Sequence, residues 1–143
     1  MRKVKRWRYY CDFCKKAGGS GRHIARHEKW CTMNPDRICG VCGMLEVNQK
    51  PISELLAVIP NSKDYEIESE YGDRIFIGKL PVDVEKAMPA LRELTENCPA
   101  CIMAALRQAK IPVPMVESFN FTEEMKSICK DINADNHRKM YYG

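Results

Sequence analysis

The chain has 143 residues, 45% apolar and 29% charged, the make-up of one modest domain with an appendage rather than of a disordered chain. No apolar run approaches the roughly 18 residues that span a bilayer, and the start, MRKVKRWRYYC, lacks the apolar stretch of a secretory signal, so an intracellular, cytoplasmic protein without membrane contact is expected. The net charge of +4 hides an asymmetry: residues 1–38 hold 11 Lys or Arg against 3 acids, a net of +8, and residues 39–143 hold 12 against 16, a net of −4.

The basic excess opens the chain. A cationic segment this short is the electrostatic footprint of a nucleic-acid or other anionic contact; the plain alternative is a solubilising tail. Eight cysteines follow a pattern: Cys11/Cys14, Cys39/Cys42 and Cys98/Cys101 are CxxC pairs, and Cys31 and Cys129 stand alone. Without export, such pairs hold metal more often than they form disulfides. Two of the three histidines, His23 and His27, lie close to the first pair.

That first pair begins Cys11-x2-Cys14-x12-His27-x3-Cys31. Zinc takes four N or S ligands, two from a tight knuckle and two from successive helix turns. His27 and Cys31, four apart, share one helix face, and Ser20 and Gly21 offer a helix start before RHIARHEKW. A His23/His27 pair would strand Cys31 and leave only eight residues after Cys14. The segment resembles the ββα zinc finger with its last histidine replaced by cysteine. Tyr9 stands for the aromatic before the first cysteine and Ile24 for the apolar residue before the histidine, but Gly18 stands where the family has a core Phe. Phe13 or Trp30 is expected to cover the metal instead. The resemblance places Ser20, His23 and Arg26 where the family's helix reads bases. Lys15, Lys16, Arg22 and Lys29 are placed for phosphates, together with Arg2, Lys3, Lys5, Arg6 and Arg8 of the arm. One finger covers about three base pairs, so contact with DNA or RNA of low sequence specificity is expected. Trp7, Tyr9 and Tyr10 are stacking platforms or finger packing.

Asn34-Pro35 breaks the helix, which divides the chain into 1–33, a basic arm and finger, and 34–143, a second zinc domain. Cys39-Gly-Val-Cys42 reads as a zinc knuckle, and its partner is Cys98-Pro-Ala-Cys101 at the start of CIMAALRQAK, a helix whose N-terminus favours thiolates. A hairpin over DYEIES and RIFIG, turning at Glu70-Tyr71-Gly72-Asp73, lies between them. Knuckle, hairpin and helix together resemble a treble clef with helical insertions. The competing reading of Cys98-Pro-Ala-Cys101 is a redox centre, but it would leave Cys39 and Cys42 without partners. Two tetrads, hence two zinc ions, use every cysteine except Cys129.

Ile52, Leu55, Leu56 and Ile59 mark a short helix after Pro51. Val84, Ala87, Met88, Leu91 and Leu94 mark another through Thr95, which Pro89 is expected to kink or divide. A last helix is expected from Thr122 to about 133–136, with Cys129 in its core stripe beside Met125, Ile128 and Ile132, and HRKMYYG as a loose tail or second contact surface. The fold class is therefore a small zinc-stapled α+β protein: a ββα-type finger, a treble-clef-like unit and a C-terminal helix.

Catalysis is not expected. Structural zinc leaves no open coordination position, the histidine pair of a treble-clef nuclease is missing, and GGSG lacks the Lys-Ser/Thr of a P-loop. Nor is a small-molecule substrate indicated. Two functions remain: a regulatory protein contacting nucleic acid through the finger, or an adaptor or inhibitor docking on another protein, such as a host nucleic-acid enzyme, through the acidic 64–73 segment or the last helix. Chain size and the HEKWCTMNPDRICGVC segment resemble short zinc-finger proteins encoded by bacteriophages, which implies the host cytoplasm.

Overall fold

Two adjacent tyrosines and an Ala-Gly pair open the folded part of the chain: β1 (Tyr9–Tyr10) runs antiparallel to β2 (Ala17–Gly18), with Tyr9 opposite Gly18. The coordinates are a computed structural model that describes residues 1–68, 71, 72, 74–76 and 78–142. Helix α1 (Gly21–Trp30) follows at once, its first turn capped by Ser20, whose Oγ accepts from the His23 amide at 3.4 Å. Gly21 packs closely on the strand: a Cβ there would lie 3.1 Å from the Tyr9 ring, which would have to give by a few tenths of an ångström. Ile24 has its Cδ1 3.5 Å from where a Gly18 Cβ would sit, so it covers the strand position at which the resemblance expects a Phe.

The remaining elements are mostly helical: α2 (Gly40–Met44), α3 (Ile52–Val58), a 3-10 turn at Ser62–Tyr65, the antiparallel pair β3 (Glu66–Glu68) and β4 (Arg74–Phe76), α4 (Leu80–Thr95), α5 (Pro99–Gln108), a second 3-10 turn at Val113–Met115 and α6 (Phe121–Tyr142). Glu70 and Asp73 of the expected hairpin turn lie outside the described residues, as do Ser69 and Ile77 of the two flanking segments. α5 lies at the centre, against α2, α3, α4 and α6. Its Ile102, Ala105 and Leu106 meet Val84, Met88 and Leu91 of α4 and Leu55 of α3, all at most 2% exposed. Each large apolar side chain buried this fully contributes about 1.5–3 kcal/mol.

Three expectations fail. Of the kink or division expected at Pro89, the division is absent: α4 runs as one helix with Pro89 on its exposed side. α6 continues to Tyr142, well past 133–136, so the presumed loose tail is helical. Cys129 is exposed; the half-buried stripe of α6 passes through Phe121, Met125, Ile128 and Ile132 and leaves the cysteine on the solvent side. α6 is fastened near its start, where Arg92 of α4 donates to both carboxylate oxygens of Glu124 at 2.6 and 3.2 Å and to the Ser118 carbonyl at 2.8 Å. No helix among the described residues is long and apolar enough to cross a membrane.

Candidate metal centres

The knuckle after β1 is closed by the Cys11 amide donating to the Lys16 carbonyl at 2.9 Å. This turns the amides of Phe13 and Lys16 toward the sulfurs of Cys11 and Cys14, each at 3.4 Å. At 3.6 residues per turn, Ile24, His27 and Cys31 share one face of α1, and that face meets the knuckle. The ligand atoms of Cys11, Cys14, His27 and Cys31 all lie within 4.8 Å of one another, with Cys14 Sγ 3.2 Å from His27 Nε2. His23 points elsewhere and joins neither cluster. Phe13 and Trp30, expected as covers, are exposed instead; Ile24 and Met33 pack against the cysteines.

The second cluster is assembled by two helix starts. Cys39 caps α2, its Sγ accepting from the Cys42 amide at 3.4 Å, and Cys98 occupies the capping position of α5. The chain reaches Cys98 from α4 through Glu96 and Asn97, both with positive φ, 51° and 60°. Cys39 Sγ then lies 3.5 Å from Cys98 Sγ, and Cys42 Sγ lies 3.4 Å from Cys101 Sγ. All four cysteines are buried and within 4.8 Å of one another. These separations far exceed a disulfide bond of about 2.05 Å and approach the roughly 3.8 Å between thiolates on a tetrahedral zinc with Zn–S bonds of about 2.3 Å. Each cluster could therefore hold a metal ion.

Two residues beside this cluster went unread in the sequence. Arg37, 8% exposed, donates from Nη1 to Cys101 Sγ at 3.7 Å. Gln49 accepts from the Cys39 amide and donates to the Arg37 carbonyl, both at 2.7 Å, which fixes the entry to the knuckle. Arg37 precedes Cys39 by two positions and could have been suspected; Gln49 carries no local signal.

The thiols compete for protons wherever no cation gathers them. Hydrogen bonds from Cys101 and Cys98 hold Cys39 well below the usual thiol range, helped by the Cys42 amide and Arg37. Burial pushes Cys42 up to about 12, and hydrogen bonding to Cys101 and Cys39 pushes Cys98 up as well. Burial costs the Arg37 guanidinium part of its preference for charge, but Cys39 and Cys101 more than restore it. In the first cluster burial raises Cys31 to about 11; burial also acts on Cys11, but the Cys14 and Phe13 amides outweigh it and lower that thiol. A divalent ion removes the competition by binding all the thiolates at once.

Arg2, Lys3, Lys5, Arg6 and Arg8 lie exposed ahead of β1, and Lys15 and Lys16 are exposed on the knuckle. Arg22, His23, Arg26 and Lys29 are also exposed; Arg22, Arg26 and Lys29 lie on the side of α1 away from His27 and Cys31, and His23 lies at the edge between the two sides. With Ala25 and Trp30 they line a shallow depression of about 710 Å³. Comparison with protein-family models, curated proteins and solved structures gave no match.

Proposed function

We propose that the chain is a non-enzymatic, regulatory zinc protein that contacts nucleic acid through its N-terminal finger. Cys₃His and Cys₄ donor sets suit zinc, and four protein ligands leave neither ion an open position, so both ions staple the fold rather than catalyse. On this reading the first unit is a ββα finger of the Cys-Cys-His-Cys type, and the second is a treble-clef-like unit enlarged by α3 and α4.

The observation that carries the nucleic-acid reading is the outer face of α1. Arg22, Arg26 and Lys29 line one exposed side of a ten-residue helix, with His23 at its edge. The one acid of that helix, Glu28, accepts instead from the Asp12 amide at 3.0 Å. Cations so arranged gain from releasing the counterions of a phosphate backbone. The test is fluorescence anisotropy of labelled nucleic acid against zinc-loaded protein over a salt series. Affinity should fall steeply with salt, by a slope of about −0.9 per phosphate contact on duplex DNA and about −0.7 on single strands. Charge reversal at Arg22, Arg26 and Lys29 should flatten that slope. Absence of binding at low salt would sink the reading.

Docking on another protein is the second reading. It is favoured by α6, in which every residue from Asn133 to Tyr141 is exposed. Truncation after Ile132 would then abolish partner binding and leave both zinc ions in place.

A further inference from the structure

The outer face of α1 carries more than charge. Trp30 closes the row of cations and is 53% exposed, although the metal cover it was expected to form is made by Ile24 and Met33. Its indole lines the same depression as Arg22, His23, Arg26 and Lys29. On a helix rising 1.5 Å per residue, Arg22 and Trp30 are about 12 Å apart along the axis, with Arg26 midway. The apolar surface continues past the helix end: Ile38, 61% exposed, donates its amide to the Lys29 carbonyl at 2.9 Å and so lies beside the last turn.

We infer that this depression binds single-stranded nucleic acid, with an unpaired base stacked on Trp30 and the adjoining phosphates on Arg22, Arg26 and Lys29. The inference rests on the nucleic-acid reading above and narrows its ligand. Two facts select a single strand. Bases in a duplex are already stacked on one another and offer an indole no free face, whereas every unpaired base has one. A cationic row with an aromatic at its end also matches the way single strands are held, charge along the backbone and stacking on the bases. Stacking is indifferent to base identity, which agrees with the low sequence specificity expected of one finger.

The chain has two tryptophans, so in a Trp7→Phe background the indole emission reports Trp30 alone. Zinc-loaded protein is titrated with oligothymidylate, oligouridylate and a duplex of equal length. Both single strands should quench Trp30 and bind about tenfold more tightly than the duplex, in line with the gain from one stacked base. Trp30→Ala should cost about tenfold on single strands and nothing on duplex, and Trp30→Phe should keep most of the affinity. Both variants should still hold two zinc ions, since Trp30 supplies no donor atom to either cluster. A preference between the two oligonucleotides names DNA or RNA, and either supports the inference. Salt-sensitive binding with no quenching, or an equal loss on duplex and single strands in Trp30→Ala, overturns the stacking site while the finger remains a nucleic-acid contact. Failure of every probe at low salt overturns both.

Discussion

Four thiolates around one divalent ion carry a net charge of −2, and in a buried site that excess is costly. Arg37 is the cation that answers it: the residue is buried and its guanidinium is directed at Cys101 Sγ. Replacing it by Met should keep the volume and lose the charge. Arg37→Met is then expected to weaken zinc binding at the second site by about tenfold, as measured by competition with a chromogenic chelator, with Arg37→Lys intermediate. An unchanged affinity would assign Arg37 to packing alone. The first site is tested by ligand count. Cys31→Ala should reduce the zinc content from two ions to one while His23→Ala keeps two, which mass spectrometry under native conditions resolves. All eight members of the two clusters are legible in the spacing, because CxxC knuckles and His-x3-Cys are local patterns set by a few residues of backbone. Gln49 carries no such pattern, and for Arg37 its place two residues before Cys39 is only a hint, because the sulfur it reaches belongs to a cysteine 64 positions away.

Between α4 and α5, Glu96 pays conformationally for the placement of Cys98. A residue with a Cβ at φ 51° is disfavoured by about 1–2 kcal/mol, a penalty glycine escapes at some cost in chain entropy. Glu96→Gly should therefore stabilise the zinc-loaded protein by up to about 1 kcal/mol, seen as a rise of about 3 °C in thermal midpoint; a fall would mean that the Glu96 side chain contributes more than its backbone costs. The helix pattern itself was plain in the sequence wherever apolar residues recur every three or four positions, as in Val84, Met88 and Leu91. Boundaries are less legible, because prolines and polar residues that end helices elsewhere are tolerated on a solvent-facing side. At Pro89 the lost amide lies on the water side of α4, where it costs least and does not break the helix. Around 133–136 the asparagines suggested an end. Instead Arg138 pairs with Asp135 at 3.0 Å and the rings of His137 and Tyr141 sit 4.5 Å apart, local contacts that extend α6 another two turns. Cys129 was assigned to the core by a spacing that fits its neighbours Ile128 and Ile132 better; one position on a helix is 100° of rotation, enough to turn a side chain from the core to water.

At the scale of the molecule, the two metal clusters are joined through α5. Its first turn carries Cys98 and Cys101 of the second cluster, and its last turn grips the segment that leaves the first. Arg107 Nη1 donates to Thr32 Oγ1 at 2.7 Å, and Gln108 Nε2 donates to the carbonyls of Thr32 at 2.9 Å and Asn34 at 3.2 Å. Thr32 directly follows the ligand Cys31, and Asn34 in turn donates from Nδ2 to the Glu28 carbonyl of α1 at 2.7 Å. The segment that composition marked as a breaker between two units is thus also their clamp. Nothing in Asn34-Pro35 foretells this, because the donors stand more than 70 positions later. Each of the three bonds from α5 is worth about 1 kcal/mol net, enough together to hold the finger in one orientation for most of the time. The double change Arg107→Ala and Gln108→Ala should leave both zinc ions bound, because neither residue is a ligand. It should also free the finger to tumble on its own, giving the amides of residues 11–31 a shorter rotational correlation time than those of α4 and α5 in ¹⁵N relaxation. In the unaltered protein the two sets should share one correlation time. Equal times in the double variant would place the clamp elsewhere, with the bond from the Ile38 amide to the Lys29 carbonyl the next to be tested. An N-terminal unit freed in this way keeps its cations and Trp30, so under the proposed nucleic-acid function its affinity should stay within about twofold of the parent while its orientation relative to α5 is lost; additivity of well-separated sites sets that expectation.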